Sequence, residues 1–126
     1  MRTDLQPNTW EFETEAFVTP TGFREYDARW WFGHPGSEQP PQINLYGIQA
    51  LGLGLGTLIH ELGKEPKIVT GHDFRSYSLS VKQALEVGLM QAGIEVHDIG
   101  LALSPTAYFA QFHLDIASVA MVTASH

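Results

Sequence analysis

The residues best placed to do chemistry are Thr123-Ala124-Ser125-His126, directly after the apolar run Ile116-Ala117-Ser118-Val119-Ala120-Met121-Val122. A serine just past a strand is either a nucleophile or a helix N-cap whose hydroxyl satisfies a free backbone N–H. Ser125 lacks the G-x-S-x-G frame of a hydrolase elbow, and the adjacent His126 cannot easily double back as its base. A serine that carries phosphate fits better: it would bring nearly two negative charges and three acceptor oxygens, and would need arginine and metal nearby.

A second chemical segment is Gly71-His72-Asp73-Phe74-Arg75-Ser76-Tyr77-Ser78. Asp73 and Arg75 form either a salt bridge that shapes the loop or, through Arg75, a phosphate contact. Ser76 and Ser78 read as helix caps, and His72 as a residue that shapes its loop. The six histidines include no H-E-x-x-H pair, so a histidine metal site is not expected. A third segment, Phe23-Arg24-Glu25-Tyr26-Asp27-Ala28-Arg29, adds a tyrosine and two arginines.

These segments need a scaffold. With 126 residues and 44% apolar content, the chain suffices for one domain with a real core. It has no Cys, which argues against a disulfide scaffold and favours a reducing compartment. Fourteen acidic against seven basic residues, with no Lys/Arg cluster, argue against nucleic-acid binding. No stretch reaches the roughly 18 apolar residues of a membrane span, and the start resembles no signal peptide, so a cytoplasmic protein without a membrane partner is expected.

Residues 1–22 are polar, carry Pro7 and Pro20, and predict an irregular lead-in; residues 33–42 are a Pro/Gly loop. From Asn44, the expected N-cap, Ile48, Leu51, Leu55, Leu58, Ile59 and Leu62 recur at helical steps, with Gly63 after the end. Gly52-Leu53-Gly54-Leu55-Gly56 is not G-x-G-x-x-G, and no strand leads directly into it. Close packing of this helix on a sheet is the expected reason for its glycines. A strand over 67–70, a helix over 78–91, a strand over 94–99, a helix opened by Ser104-Pro105 with Ser104 as cap, and a strand over 115–122 follow. The order α-β-α-β-α-β predicts helices covering a largely parallel sheet. Residues 71–75, 100–101 and 123–126 then emerge along one rim.

Taken together, the three segments resemble motifs of the α-D-phosphohexomutases, the phosphomannomutase/phosphoglucomutase family. Phe23–Arg29 is similar to F-R-x-Y-D-I-R-G, Gly71–Ser78 to G-x-D-x-R-x-S-S, and Thr123–His126 to the first four letters of T-A-S-H-N-P. The resemblance implies an α/β fold, three-layer α/β/α with a largely parallel mixed sheet, with residues 23–126 forming part of the family's domain I. It implies a phosphoserine at Ser125 that exchanges phosphate with a hexose phosphate, moving it between O1 and O6 through a bisphosphorylated sugar. Tyr26, Arg29 and His126 align with the family's active-site residues, and Arg29 and Arg75 with phosphate binding. Mg²⁺, held in part by the phosphate on Ser125, and a hexose 1,6-bisphosphate activator are the implied cofactors.

The sequence departs from the pattern in three places. Trp30-Trp31 stands where the family usually has Gly and a β-branched residue, His72 replaces a common arginine, and no D-G-D-G-D-R metal loop is present. The chain is therefore expected to be an N-terminal piece, partnered by the remaining domains of a parent enzyme and inactive alone. Two rivals remain: a non-catalytic phosphate- or nucleotide-binding module, and an interaction domain that uses Trp30, Trp31 and Phe32 as an exposed surface.

Overall fold

The computed structural model describes residues 2, 4–34 and 36–124. Its elements are α1 (Trp10–Thr14), a 3₁₀ turn (Pro20–Gly22), α2 (Leu45–Glu61), β1 (Lys67–His72), α3 (Ser78–Gln91), β2 (Glu95–Leu101), α4 (Ser104–Leu114) and β3 (Val119–Val122). The sheet order is β2-β1-β3 with both pairings parallel, so all three strands run one way. The chain steps from β1 to β2 on one side, then crosses back over β1 to place β3 on the other.

Strand periodicity sorts the layers. Ile68 of β1 packs with Ile59 of α2, Leu89 of α3 and Ile94. Val69, one residue on, points the other way and packs with Ala110 of α4 and Ile116. Helices therefore cover both faces, the three-layer α/β/α arrangement expected. β1 is the buried centre: Ile68, Val69 and Thr70 are at most 1% exposed.

Several local expectations need correction. Gly52 of α2 does serve close packing, but against a helix rather than the sheet, while Gly47 meets the Phe17 carbonyl and Gly54 faces open space. A Cβ on Gly52 would lie 2.1 Å from the Leu85 carbonyl oxygen of α3, and one on Gly88 of α3 would lie 1.9 Å from that of Gln49. These two glycines let the backbones of α2 and α3 touch. Ser104 is not a cap: α4 begins at Ser104 with Leu103 as its N-cap, and no side chain caps it. Asp115, expected in a strand, is the left-handed C-cap of α4 with φ 54°, a conformation that Asp tolerates, so β3 begins only at Val119.

The lead-in is more ordered than its composition predicts, because Asn44 ties it down. Asn44 Oδ1 accepts the Gly47 amide at 2.7 Å, the expected N-cap bond, and also the Phe17 amide at 3.0 Å. Its Nδ2 donates to the carbonyls of Phe12 and of Glu15, the latter at 2.8 Å. One buried amide thus satisfies two segments that are distant in sequence, and Leu5, Phe12 and Phe17 form a small apolar cluster beside it.

Candidate functional site

β1 ends at His72, and the next residue, Asp73, becomes the hub of the carboxyl rim. The Asp73 amide donates to the Val122 carbonyl at 3.0 Å, carrying the β1/β3 pairing one step further. Its carboxylate then collects donors from three places. Oδ1 accepts the Arg75 amide at 3.2 Å and the Ser78 hydroxyl; Oδ2 accepts the Arg75 guanidinium, the Thr123 hydroxyl at 3.1 Å and the Ala124 amide at 3.2 Å. Loops some fifty residues apart in sequence therefore share one carboxylate, as the parallel sheet predicts.

Burial alone would push the Asp73 carboxyl up. The hydrogen bonds from the Ser78 hydroxyl, the Arg75 and Ala124 amides and the Arg75 guanidinium outweigh it and hold the group at about 2. Asp73 is thus a carboxylate at any ordinary pH. Ser78 corrects its expected role as a cap: it is the first residue of α3, and its hydroxyl serves Asp73 while Tyr77 is the uncapped N-cap position. His72 does shape its loop, its Nδ1–H donating to the Asp73 carbonyl at 2.8 Å. Of the two readings of Arg75, the loop salt bridge is present; the guanidinium, with 28% of its side chain exposed, also lies over the Phe74 ring at 5.2 Å. A cavity of about 360 Å³ adjoins this hub, lined by Asp73, Phe74, Leu101, Ala102, Leu103 and Thr106.

The second expected segment forms a small hairpin. Phe23 bridges Ala28, Arg24 donates its amide to the Asp27 carbonyl at 2.9 Å, and Tyr26 stands at the tip, 91% exposed. Arg29 pairs with Asp27 at 2.8 Å in the open. Arg24, Glu25, Tyr26, Asp27 and Arg29 surround a shallow cavity of about 380 Å³.

Trp30 does not enter this cavity. Its indole lies over Gly22, where a Cβ would come within 2.0 Å, and donates to the Thr19 carbonyl at 2.7 Å; Phe23 meets it edge-on at 5.0 Å. The bulky departure from the family pattern therefore braces the hairpin from behind. Trp30 and Phe32 pack against the Val18, Ile43 and Ile48 cluster, which speaks against their use as an exposed contact surface.

Ser125 and His126 lie outside the described residues. Among the described residues no hydrogen bond or ion pair joins the hairpin to the Asp73 hub. The segment after the hairpin meets α3 through the Val18, Ile43 and Ile48 cluster and through the contact of Phe32 with Tyr77, centroids 6.0 Å apart. Nor do the described residues fit a Mg²⁺ site: no three His, Asp or Glu side chains gather, and the Asp73 lone pairs are taken by donors. What the sequence missed is the reach of Asp73 to residues 123 and 124. The available signal was an aspartate at the exit of a central strand, with a serine five positions on.

The comparisons agree with this architecture. The family model described as phosphoglucomutase/phosphomannomutase, alpha/beta/alpha domain I, matches residues 21–126. A phosphomannomutase of Escherichia coli is 43% identical over 106 residues, covering 84% of this chain and 21% of that protein. One from Klebsiella pneumoniae is 42% identical over 84% of this chain and 60% of its own length. A phosphoglucomutase/phosphomannomutase of Thermococcus kodakarensis is 38% identical over 60% of this chain and 17% of its own. The chain thus spans about a fifth of the Escherichia coli relative and three fifths of the Klebsiella one. Sheet order, layering and this match together establish that the chain belongs to the phosphoglucomutase/phosphomannomutase family and carries its α/β/α domain I.

Proposed function

We propose that this domain belongs to a phosphohexomutase and supplies its phosphoryl carrier, Ser125. The observation that carries the reading is the Asp73 hub, which ties residues 123 and 124, directly ahead of Ser125, to the Arg75 loop. Support also comes from relatives named phosphomannomutase.

In the proposed cycle a hydroxyl oxygen of a hexose monophosphate attacks the phosphorus on Ser125. The bond to the seryl oxygen breaks with its electron pair, and the hydroxyl proton ends, net, on that oxygen. The resulting hexose 1,6-bisphosphate then returns its other phosphate to Ser125 by the reverse step. Such a reaction is catalysed chiefly by positioning and by charge on the non-bridging oxygens. Arg29 meets that need: its partner Asp27 is solvent-exposed, so the guanidinium can move to phosphate at little cost. Tyr26 at the hairpin tip would meet sugar or phosphate oxygens, and His126 would hydrogen-bond beside the phosphoserine. Mg²⁺ would add charge neutralisation at the phosphate. Among the described residues no group of side chains forms its site.

The 126 residues alone, which contain no D-x-D-x-D cluster, are proposed not to turn over hexose phosphate. Mass spectrometry tests the carrier: after incubation with hexose 1,6-bisphosphate and Mg²⁺, the full-length parent purified from cells should hold phosphate on Ser125. Phosphate absent from Ser125, or retained at the same level by Ser125→Ala, overturns the reading.

A further inference from the structure

We infer that Asp73 is the positioning residue of the serine loop: one saturated carboxylate sets the backbone at residues 123 and 124, directly ahead of Ser125. The inference rests on the reading of Ser125 as phosphoryl carrier.

A carboxylate offers about four lone-pair sites, and Asp73 receives five donors. Two of these come from the serine-loop side of the junction, the Thr123 hydroxyl and the Ala124 amide, both on Oδ2. The others anchor the carboxylate to the scaffold: Ser78 in the first turn of α3, and Arg75 through its amide and its guanidinium. With its lone pairs occupied and its pKa held at about 2, Asp73 is a poor general base and a poor metal ligand. The geometry leaves it one role, that of a bracket between α3 and the serine loop. Its charge also matters, because an amide at this place would turn an NH₂ group toward donors on one side or the other.

The bracket explains why the Arg75 guanidinium points at Asp73: it offsets a fixed negative charge close to where a phosphate is to sit. Asp73→Asn should free the loop side while the sheet and α3 persist. Amide exchange followed by NMR on this chain reads the contact directly. Exchange at Ala124 should accelerate by about 10-fold or more in Asp73→Asn, the size expected for losing a hydrogen bond to a charged group. Amides of Val69 and Leu89 in the core should keep their protection. Thr123→Val, which leaves Asp73 and its anchors in place, should shift Ala124 in the same direction by less. It keeps the test open should Asp73→Asn fail to fold.

The functional arm measures phosphorylation of Ser125 in the full-length parent, from hexose 1,6-bisphosphate with Mg²⁺. Asp73→Asn should lower the maximal rate by about 100-fold, as expected for a misplaced reacting group, while the half-saturating bisphosphate concentration stays within about 2-fold. Unchanged Ala124 exchange in a folded Asp73→Asn overturns the bracket. A raised half-saturating concentration at an unchanged maximal rate overturns it too, since Asp73 would then be touching ligand. A wild-type protein that takes no phosphate sinks the mutase reading instead, while the exchange result still decides the contact.

Discussion

The Asp73 hub and the Phe23–Arg29 hairpin both carry arginine–aspartate pairs two residues apart, yet they differ in every physical respect. Asp73 is nearly buried, and its donors come from α3 and the serine loop as well as from its own loop. Asp27 is 44% exposed, and the pair with Arg29 is local and solvated. Exposed pairs of that kind contribute little to stability, whereas a buried carboxylate must be fully bonded to persist. The same two residue types therefore make a fixed bracket in one place and a movable arm in the other. That division suits the proposed phosphoryl transfer, in which the carrier would be held and the group that meets the incoming phosphate would adapt.

The largest expected effect lies under the hub. Lys82 of α3 is 1% exposed and pairs with Asp98 of β2 and, at 3.5 Å, with Glu86, which accepts the Thr70 hydroxyl at 2.6 Å. Removing Lys82 leaves the Glu86 carboxylate, only 12% exposed, without its cation, whereas Asp98, 44% exposed, keeps access to water. Lys82→Ala should therefore cost about 3–5 kcal/mol in urea unfolding; a loss below about 1 kcal/mol would mean that water already serves these carboxylates.

Acid should act next, chiefly on the hub, with a further contribution from Asp98, whose burial is outweighed by Lys82 and the Gly100 amide, which hold it below its ordinary value. The folded pKa of Asp73, about 2, lies below its ordinary 3.8, so its contribution is complete above that value and is lost as pH falls towards 2. The difference corresponds to about 2 kcal/mol. Denaturant midpoints measured between pH 5 and pH 2 should drop less steeply in Asp73→Asn than in the wild type. Equal slopes would show that the hub is not what titrates.

Behind the hairpin, Gly22→Ala should force the Trp30 indole from its seat at a cost of about 1–3 kcal/mol, the usual range for overpacking. A red shift of tryptophan emission without loss of helix signal is the expected signature. The smallest effect belongs to the arm itself: Arg29→Ala should change stability by no more than about 0.5 kcal/mol. A larger loss would erase the contrast between the two regions.

Much of this was legible in the letters. Helical spacing after Asn44, the stretch from Ser78 to Gln91 and the apolar strand centres gave the α/β order, because periodicity records which face is buried. Element ends were read less well. Asp115 and Ser104 look like a strand residue and a cap, and only the left-handed turn at Asp115 and the uncapped start of α4 decide otherwise. The lead-in was read from its polarity, and a single amide, Asn44, orders it across distances no local pattern records.

By itself the sequence determined the layer order and the three segments that mark the family, since both rest on local spacing and residue type. Only the tertiary structure decided that Asp73 binds Thr123 and Ala124, that Trp30 lies over Gly22, and that Gly52 of α2 meets a helix. Each of these is a pairing between distant positions. Such pairings are set by strand order and by the close approach of packed backbones, and a linear pattern carries neither.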